Sequence, residues 1–152
     1  MDHIKKGLKA LFENKAEAFT RGRLDEAVRS LSIPSTIVAG DHKLFLSSYK
    51  AAVSTLSIYR NNLVVEDYAK TSVDVLQCTK YATGAVQAFV HWMNFNSKGA
   101  EINTFDACYL CSQKADQTWR IDSVEFVARP HERLANGIPF EQYGIPFKSY
   151  GS

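Results

Sequence analysis

A histidine and an aspartate on adjacent predicted strands form the pair of residues best suited to chemistry in this sequence. His91 and Asp106 lie in two successive apolar runs that are separated by Lys98-Gly99. A two-residue turn there would place His91 directly opposite Asp106 on one face of an antiparallel hairpin. Opposed Cβ atoms lie ~4.5–5.5 Å apart, so the imidazole and the carboxylate could form a hydrogen bond. If the protein is catalytic, we predict that His91 is the general base and that Asp106 orients it.

A structural interpretation of the same pair competes with the catalytic one, and we favour it. His91 and Asp106 could be a structural polar pair, or they could lie on the outer face of the sheet at a dimer interface. The pairing register of the two strands decides whether the two side chains meet, because a slip of one residue would send them to opposite faces. Both faces of the hairpin carry apolar residues, as expected if one lines a pocket and the other is buried against a partner.

Five aromatic and apolar residues are predicted to line a pocket. Phe89 and Met93 share the predicted face of His91, and Phe12 belongs to the apolar stripe of the first predicted helix. Tyr49 and Tyr59 lie on the third predicted helix and could direct their hydroxyl groups into the pocket. A tyrosine at helical core spacing is more often simply a core residue, so this alternative stays open.

The elements that would position these residues are three N-terminal helices and a later sheet. Apolar residues recur at spacings of three and four, which predicts helices over residues 4–19, 24–31 and 49–59. Two short strands around a turn at Gly40-Asp41 are predicted between the second and third helices. From residue 63 the period changes to two, which predicts four long strands joined as antiparallel hairpins. These runs are residues 71–79, 85–95, 101–112 and 118–128.

This order of elements predicts an α+β fold in which three N-terminal helices pack on one face of a strongly bent antiparallel sheet. We assign residues 1–128 to this domain and residues 129–152 to an extended C-terminal arm. The arm holds a seven-residue repeat, GIPFEQY followed by GIPFKSY. We expect the arm to pack on its own domain or on a second subunit, and the alternative is a recognition peptide for another protein.

Composition excludes several classes of function. The chain has 152 residues, 18 basic and 16 acidic, and this even balance argues against a surface for nucleic acid or anionic membrane. No stretch approaches the ~18 consecutive apolar residues that span a bilayer. Three cysteines and no secretory h-region predict a cytoplasmic protein with free thiols. Cys108 and Cys111 would face opposite sides of a strand, so we predict no metal site, and no motif indicates a cofactor.

The sequence resembles the SnoaL-like members of the nuclear-transport-factor-like superfamily, whose fold is also described as a cystatin-like cone. The segment Arg23-Leu24-Asp25-Glu26-Ala27 is similar to the usual second helix of this family, and Trp119-Arg120-Ile121 is similar to the start of its last strand. The order of elements is the stronger evidence. The resemblance covers residues 4–128, and the repeated arm lies outside it.

The resemblance implies a cone that encloses a largely apolar pocket, and by analogy a homodimer formed through the outer sheet face. It implies a pocket for a small apolar or aromatic organic ligand. If the protein is catalytic, we expect a cofactor-free isomerase, cyclase or dehydratase. The family's isomerases use a carboxylate base, and this chain has no acidic residue near Ile33-Pro34-Ser35-Thr36, where that base is expected. Fold alone does not select a function. The second hypothesis is a non-catalytic, homodimeric interaction module that uses the C-terminal arm.

Overall fold

The computed structural model describes residues 2–39, 41–126 and 147–149. This part of the chain contains three helices: α1 (Asp2–Thr20), α2 (Leu24–Val28) and α3 (Tyr49–Val64). Its strands are β1 (Ser35–Ala39), β2 (His42–Leu46), β3 (Tyr68–Lys80), β4 (Val86–Asn96), β5 (Glu101–Gln113), β6 (Trp119–Phe126) and β7 (Phe147–Ser149). The predicted α+β fold is therefore confirmed. None of the described helices is long and apolar enough to cross a bilayer.

The strands form one sheet in the order β3-β4-β5-β6-β1-β2-β7. The predicted meander is confirmed, because β3, β4, β5 and β6 pair in succession as antiparallel neighbours. The pairing of β1 with β6 is parallel and was not predicted. The hydrophobic period shows which faces are buried but carries no information on the direction of a distant partner strand. The sheet is consequently mixed, with the β1–β2 hairpin added at the edge of β6.

Helix α1 buries the predicted stripe against the inner face of the sheet, including Leu8 and Phe12, which are fully buried. It ends at Thr20, and Gly22 follows with a φ of 75°, the left-handed conformation that glycine adopts readily. Arg60 of α3 donates hydrogen bonds to the carbonyl oxygens of Phe19 (2.8 Å) and Thr20 (2.8 Å). The Phe19 carbonyl also accepts from the Gly22 backbone N–H (3.1 Å), and the two Arg60 bonds at this helix end fix α3 beside α1.

Helix α3 begins where the sequence predicts it and ends later. The Ser48 side chain accepts a hydrogen bond from the Ala51 backbone N–H (3.0 Å), as an N-cap does. The predicted end at Asn61-Asn62 is wrong, since the helix continues to Val64 and buries Leu63. The packing of Leu63 in the core outweighs the weak helix preference of two asparagines.

Strands β4 and β5 have one fully buried face and one half-buried face. Buried residues alternate with half-buried ones along β4, from Val86 to Asn94. The buried face turns toward the helices, and it includes Val90, Trp92, Phe105 and Tyr109. The opposite face of the sheet, which we call the outer face, carries the residues between them.

The β4–β5 turn differs from the prediction, yet the predicted register is confirmed. The backbone N–H of Asn96 bonds to the Ala100 carbonyl (2.8 Å), so the loop has three residues and ends in Gly99 with φ 81°. A register shift follows between Asn94 and Phe95. The extra residue of this bulge compensates for the longer loop, and His91 again pairs with Asp106.

The described part of the C-terminal arm returns to the sheet. Strand β7 lies in the second copy of the repeat and pairs antiparallel with β2, with Lys148 opposite Lys43. This pairing fits an arm that packs on its own domain. The rest of the predicted arm lies outside the described residues.

Candidate functional site

A cavity of about 150 Å³ lies between the inner face of the sheet and the three described helices. A cavity of this size that is lined by apolar side chains stays dry and can hold a benzene-sized molecule. Strands β1 to β6 and helices α1, α2 and α3 all contribute side chains to its wall. The apolar lining residues are Phe19, Ala27, Val28, Leu31, Ile37, Leu44, Leu46, Ala52, Leu56, Trp92, Phe105, Val124 and Phe126.

Tyr59 brings a hydroxyl group to the cavity at the end of a buried polar network. The side-chain amide of Asn94 donates to the Tyr59 hydroxyl (3.0 Å) and to Asn103 (2.8 Å). The carbonyl oxygen of Asn94 accepts from the Thr71 hydroxyl (2.6 Å). In its hydrogen bond with Asn94 the Tyr59 oxygen accepts, and Asn103 is a second hydrogen-bond partner of this hydroxyl. Burial raises the pKa of Tyr59, so the phenol remains a donor at neutral pH.

Tyr109 supplies a second hydroxyl group of the same kind. Its oxygen accepts a hydrogen bond from the indole N–H of Trp92 (2.8 Å), and both residues line the cavity. Burial raises the pKa of Tyr109, which keeps this phenol protonated as well. The two tyrosines thus place protonated hydroxyl groups among the residues of a largely apolar wall.

Lys15 is the one cationic side chain among the described residues that line the cavity. It is half-buried, and its ammonium group donates a hydrogen bond to the Ala27 carbonyl oxygen. Burial lowers the pKa of Lys15 to about 8, while Cys111 acts in the opposite direction. Sequence reasoning missed this residue, although the signal was present. Lys15 stands three residues after Phe12 and four before Phe19, on the apolar stripe of α1.

No aspartate, glutamate or histidine is found among the residues that the structure places in the cavity wall. The wall therefore provides hydrogen-bond donors and no carboxylate base. This agrees with the lack of an acidic residue near Pro34 in the sequence.

His91 and Asp106 contact one another, as the register predicts. His91 Nδ1 and Asp106 Oδ1 are 2.5 Å apart, and both side chains are about 30% exposed. They lie on the outer face of the sheet, on the other side from the cavity. The expectation that this pair shares the pocket is therefore wrong. Both faces of β4 and β5 carry enough apolar residues to be buried. The alternation of residues along these strands therefore could not show which face turns toward the helices.

Of the five predicted pocket residues, Tyr59 lines the cavity and the other four do not. Phe89 and Met93 lie on the outer face with His91, for the same reason. Phe12 is fully buried in the core, where its ring centroid lies 4.6 Å from that of Tyr109.

Tyr49 is the fourth of these corrections. It begins α3 and is 41% exposed. Its hydroxyl donates to the Leu31 carbonyl (2.7 Å) and accepts from Arg120 (2.9 Å). Its first-turn position holds it at the surface, where it ties α3 to the segment after α2.

The cysteines match the structural interpretation made from the sequence. Cys111 is buried on the inner face and Cys108 is half-buried on the outer face, and all three cysteines are free thiols. Burial raises the pKa of the Cys111 thiol to about 12, so it is protonated at neutral pH. The described residues contain no group of three side chains that could hold a metal ion.

Comparison with known proteins identifies the family. Residues 5–129 match the model of a family described as NTF2-like protein (DUF6841), which covers most of the chain. The chain therefore belongs to this NTF2-like family. No curated protein sequence matches it.

Solved structures share the fold at very low sequence identity. Aln2 from a Streptomyces species has a TM-score of 0.70 at 8% identity, covering 90% of this chain and 96% of that one. ActVI-ORFA from Streptomyces coelicolor has a TM-score of 0.67 at 5% identity, covering 84% and 96%. A Catenulispora acidiphila protein in complex with S-DNPA has a TM-score of 0.63 at 13% identity, covering 86% and 98%. These similarities show the fold alone.

Proposed function

We propose that this NTF2-like chain binds one small, largely apolar or aromatic organic molecule in the cavity between the helices and the inner sheet face. The observation that carries the proposal is an apolar wall that includes the Tyr59 and Tyr109 hydroxyl groups. Pockets for small molecules typically combine an apolar lining with a few placed polar groups. One protein of similar fold has been solved in complex with S-DNPA, which supports the same use of this fold.

For a cofactor-free isomerisation, cyclisation or dehydration, the described wall supplies hydroxyl groups that stabilise charge and no carboxylate or imidazole base. In such reactions negative charge develops on a carbonyl oxygen, and aimed O–H donors stabilise it. Tyr59 and Tyr109 are the residues we propose for that role, since burial keeps their phenols protonated. His91 and Asp106 are not part of this proposal, because they lie on the other face of the sheet.

A cavity-filling variant tests the binding proposal. Ala52 is buried and lines the cavity, so Ala52→Phe adds a ring where the ligand would lie. We expect wild-type protein to bind nitrobenzene and the variant to lose binding by about tenfold or more. Titration calorimetry gives the affinities, and circular dichroism checks that the variant is folded.

The matched control is Ala10→Phe, at an exposed position on α1. It adds the same ring outside the cavity, so it should bind nitrobenzene like the wild type. Equal binding by the Ala52 variant and the wild type would place the ligand elsewhere and overturn the proposal.

A second candidate function is a homodimeric interaction module, and the outer face of the sheet favours it. Phe89 and Met93 are half-buried there, and Leu110 is 37% exposed. A second copy of the chain would cover these apolar side chains. We expect Leu110→Glu to halve the mass measured by light scattering, and the exposed Gln113→Glu to leave it unchanged. A monomeric wild type would contradict this candidate.

The cellular location that fits the chain is the cytoplasm. Its three cysteines are free thiols, and disulfide frameworks are typical of secreted proteins. We propose this location because the reducing conditions of the cytoplasm keep thiols free of disulfide bonds.

A further inference from the structure

Lys15 brings an ammonium group to the wall of an otherwise apolar cavity, and nothing in the proposed function uses it. We infer that Lys15 is the counterion of the ligand, so that the cavity selects a small organic anion whose carboxylate or phenolate oxygen contacts the Lys15 ammonium. This inference rests on the proposed function and narrows it to one class of ligand.

The hydrogen bonds of Lys15 leave room for a ligand. An ammonium group has three N–H donors, and the described residues supply one acceptor, the Ala27 carbonyl oxygen. Ala27 lies in the last turn of α2, where carbonyl groups lack helical partners. This bond therefore anchors Lys15 at the wall and leaves two donors for an acceptor from the ligand.

The charge of Lys15 is not compensated within the cavity. The described lining residues include no carboxylate, and Asp25 and Glu26 on the neighbouring α2 are exposed. The titratable group that acts on it is Cys111 of β5, and the same cavity wall holds two phenols, Tyr59 and Tyr109. Burial keeps all three protonated and neutral at pH 7. A charge that is partly removed from water and faces no countercharge is unfavourable, so an anionic ligand would supply the missing countercharge.

The two tyrosines add to the same preference. Their O–H donors and the ammonium group all require acceptor oxygens, and a carboxylate or phenolate offers several lone pairs. Charge-assisted hydrogen bonds of this kind are about twice as strong as neutral ones. The cavity therefore combines an apolar volume for a ring with donors for an anionic group.

Two probes of nearly equal shape test the inference. Benzoate carries a negative charge, and nitrobenzene is its neutral counterpart. We expect wild-type protein to bind benzoate about tenfold more tightly than nitrobenzene at pH 7. Lys15→Met removes the charge and keeps a long apolar side chain, so it should abolish this preference while nitrobenzene still binds.

The control variant is Lys9→Met, which removes the same charge from an exposed position on α1. It should keep the preference for benzoate. Equal affinities for the two probes in wild-type protein would overturn the inference and leave the proposed function standing. A preference that persists in Lys15→Met would overturn it as well. If neither probe binds the folded wild type, both proposals fail.

Proton uptake gives an independent readout. Burial lowers the pKa of Lys15 to about 8, so part of the Lys15 side chains are neutral at pH 8. A bound anion favours the charged form of Lys15. Benzoate binding at pH 8 should therefore add a proton to Lys15 in those protein molecules where it was neutral. Calorimetry in two buffers of different ionisation enthalpy measures this uptake. Lys15→Met should show none, and an equal uptake in the variant would contradict the role of Lys15.

Discussion

At the scale of single residues, Lys15 borders the cavity whereas His91 lies on the other face of the sheet. The sequence predicts the His91–Asp106 contact correctly, because pairing across a hairpin follows from the order of residues. It does not predict which face is enclosed, because both faces of the hairpin are apolar. Lys15 was accessible to sequence reasoning as a charged residue on an apolar helical stripe. Long side chains with charged ends are common on such stripes, so the position alone did not indicate a site.

The folded-state pKa of Lys15 predicts a pH-dependent effect on stability. Between pH 8 and 10.5 the unfolded chain holds a proton on Lys15 that the folded chain lacks, so this group's contribution to stability rises with pH. We expect Lys15→Met to raise the free energy of unfolding at pH 7 by about 1–3 kcal/mol. The gain should vanish as the pH rises from 8 to 10.5. Urea denaturation at several pH values measures it, with Lys9→Met as the control, and a gain that grows with pH would contradict the account.

Asn94 is the residue on which the position of the Tyr59 hydroxyl depends. It is 1% exposed and forms hydrogen bonds with Tyr59, Thr71 and Asn103. Asn94→Ala should lower the free energy of unfolding by about 2–4 kcal/mol, because it leaves buried partners unsatisfied. The exposed Asn14→Ala should change it by less than about 0.5 kcal/mol. Thermal or chemical denaturation tests this, and equal effects of the two variants would argue against the network.

At the scale of elements, the β4–β5 hairpin shows both what the sequence determines and what it conceals. The four long strands follow from period-two patterning and turn residues, and the structure confirms them. The loop was predicted to have two residues and has three, and a bulge beside Asn94 restores the register. Bulges cannot be seen in hydrophobic alternation over so short a distance. The parallel partner of β1 was likewise missed, because such a pairing depends on packing far away in the chain.

Gly99 permits the tight loop of this hairpin. Its φ of 81° is unfavourable for other residues, and a Cβ atom added there would meet no neighbouring atom. Gly99→Ala should therefore cost about 1 kcal/mol through backbone conformation alone. Lys98→Ala, in the same exposed loop, should be nearly neutral. Denaturation midpoints compare the two, and an unaffected midpoint in Gly99→Ala would show that the loop is not held in this conformation.

At the scale of the whole molecule, the helices and the sheet create a cavity that no single element contains. Side chains from three helices and six strands meet there, so its lining could be predicted from the sequence only in part. Tyr59 was found because it lies on a helical stripe that must face the sheet. The other lining residues depend on the curvature of the sheet and on the place of the β1–β2 hairpin. The family match and the similar structures support this architecture and leave the ligand open.

The central claim is that the ligand lies on the inner side of the sheet, and methyl NMR tests it most directly. Val124 and Leu56 line the cavity, whereas Met93 carries its methyl group on the outer face. On titration with nitrobenzene we expect the Val124 and Leu56 methyl resonances to shift and that of Met93 to stay in place. Shifts at Met93 with none at Val124 and Leu56 would contradict the account.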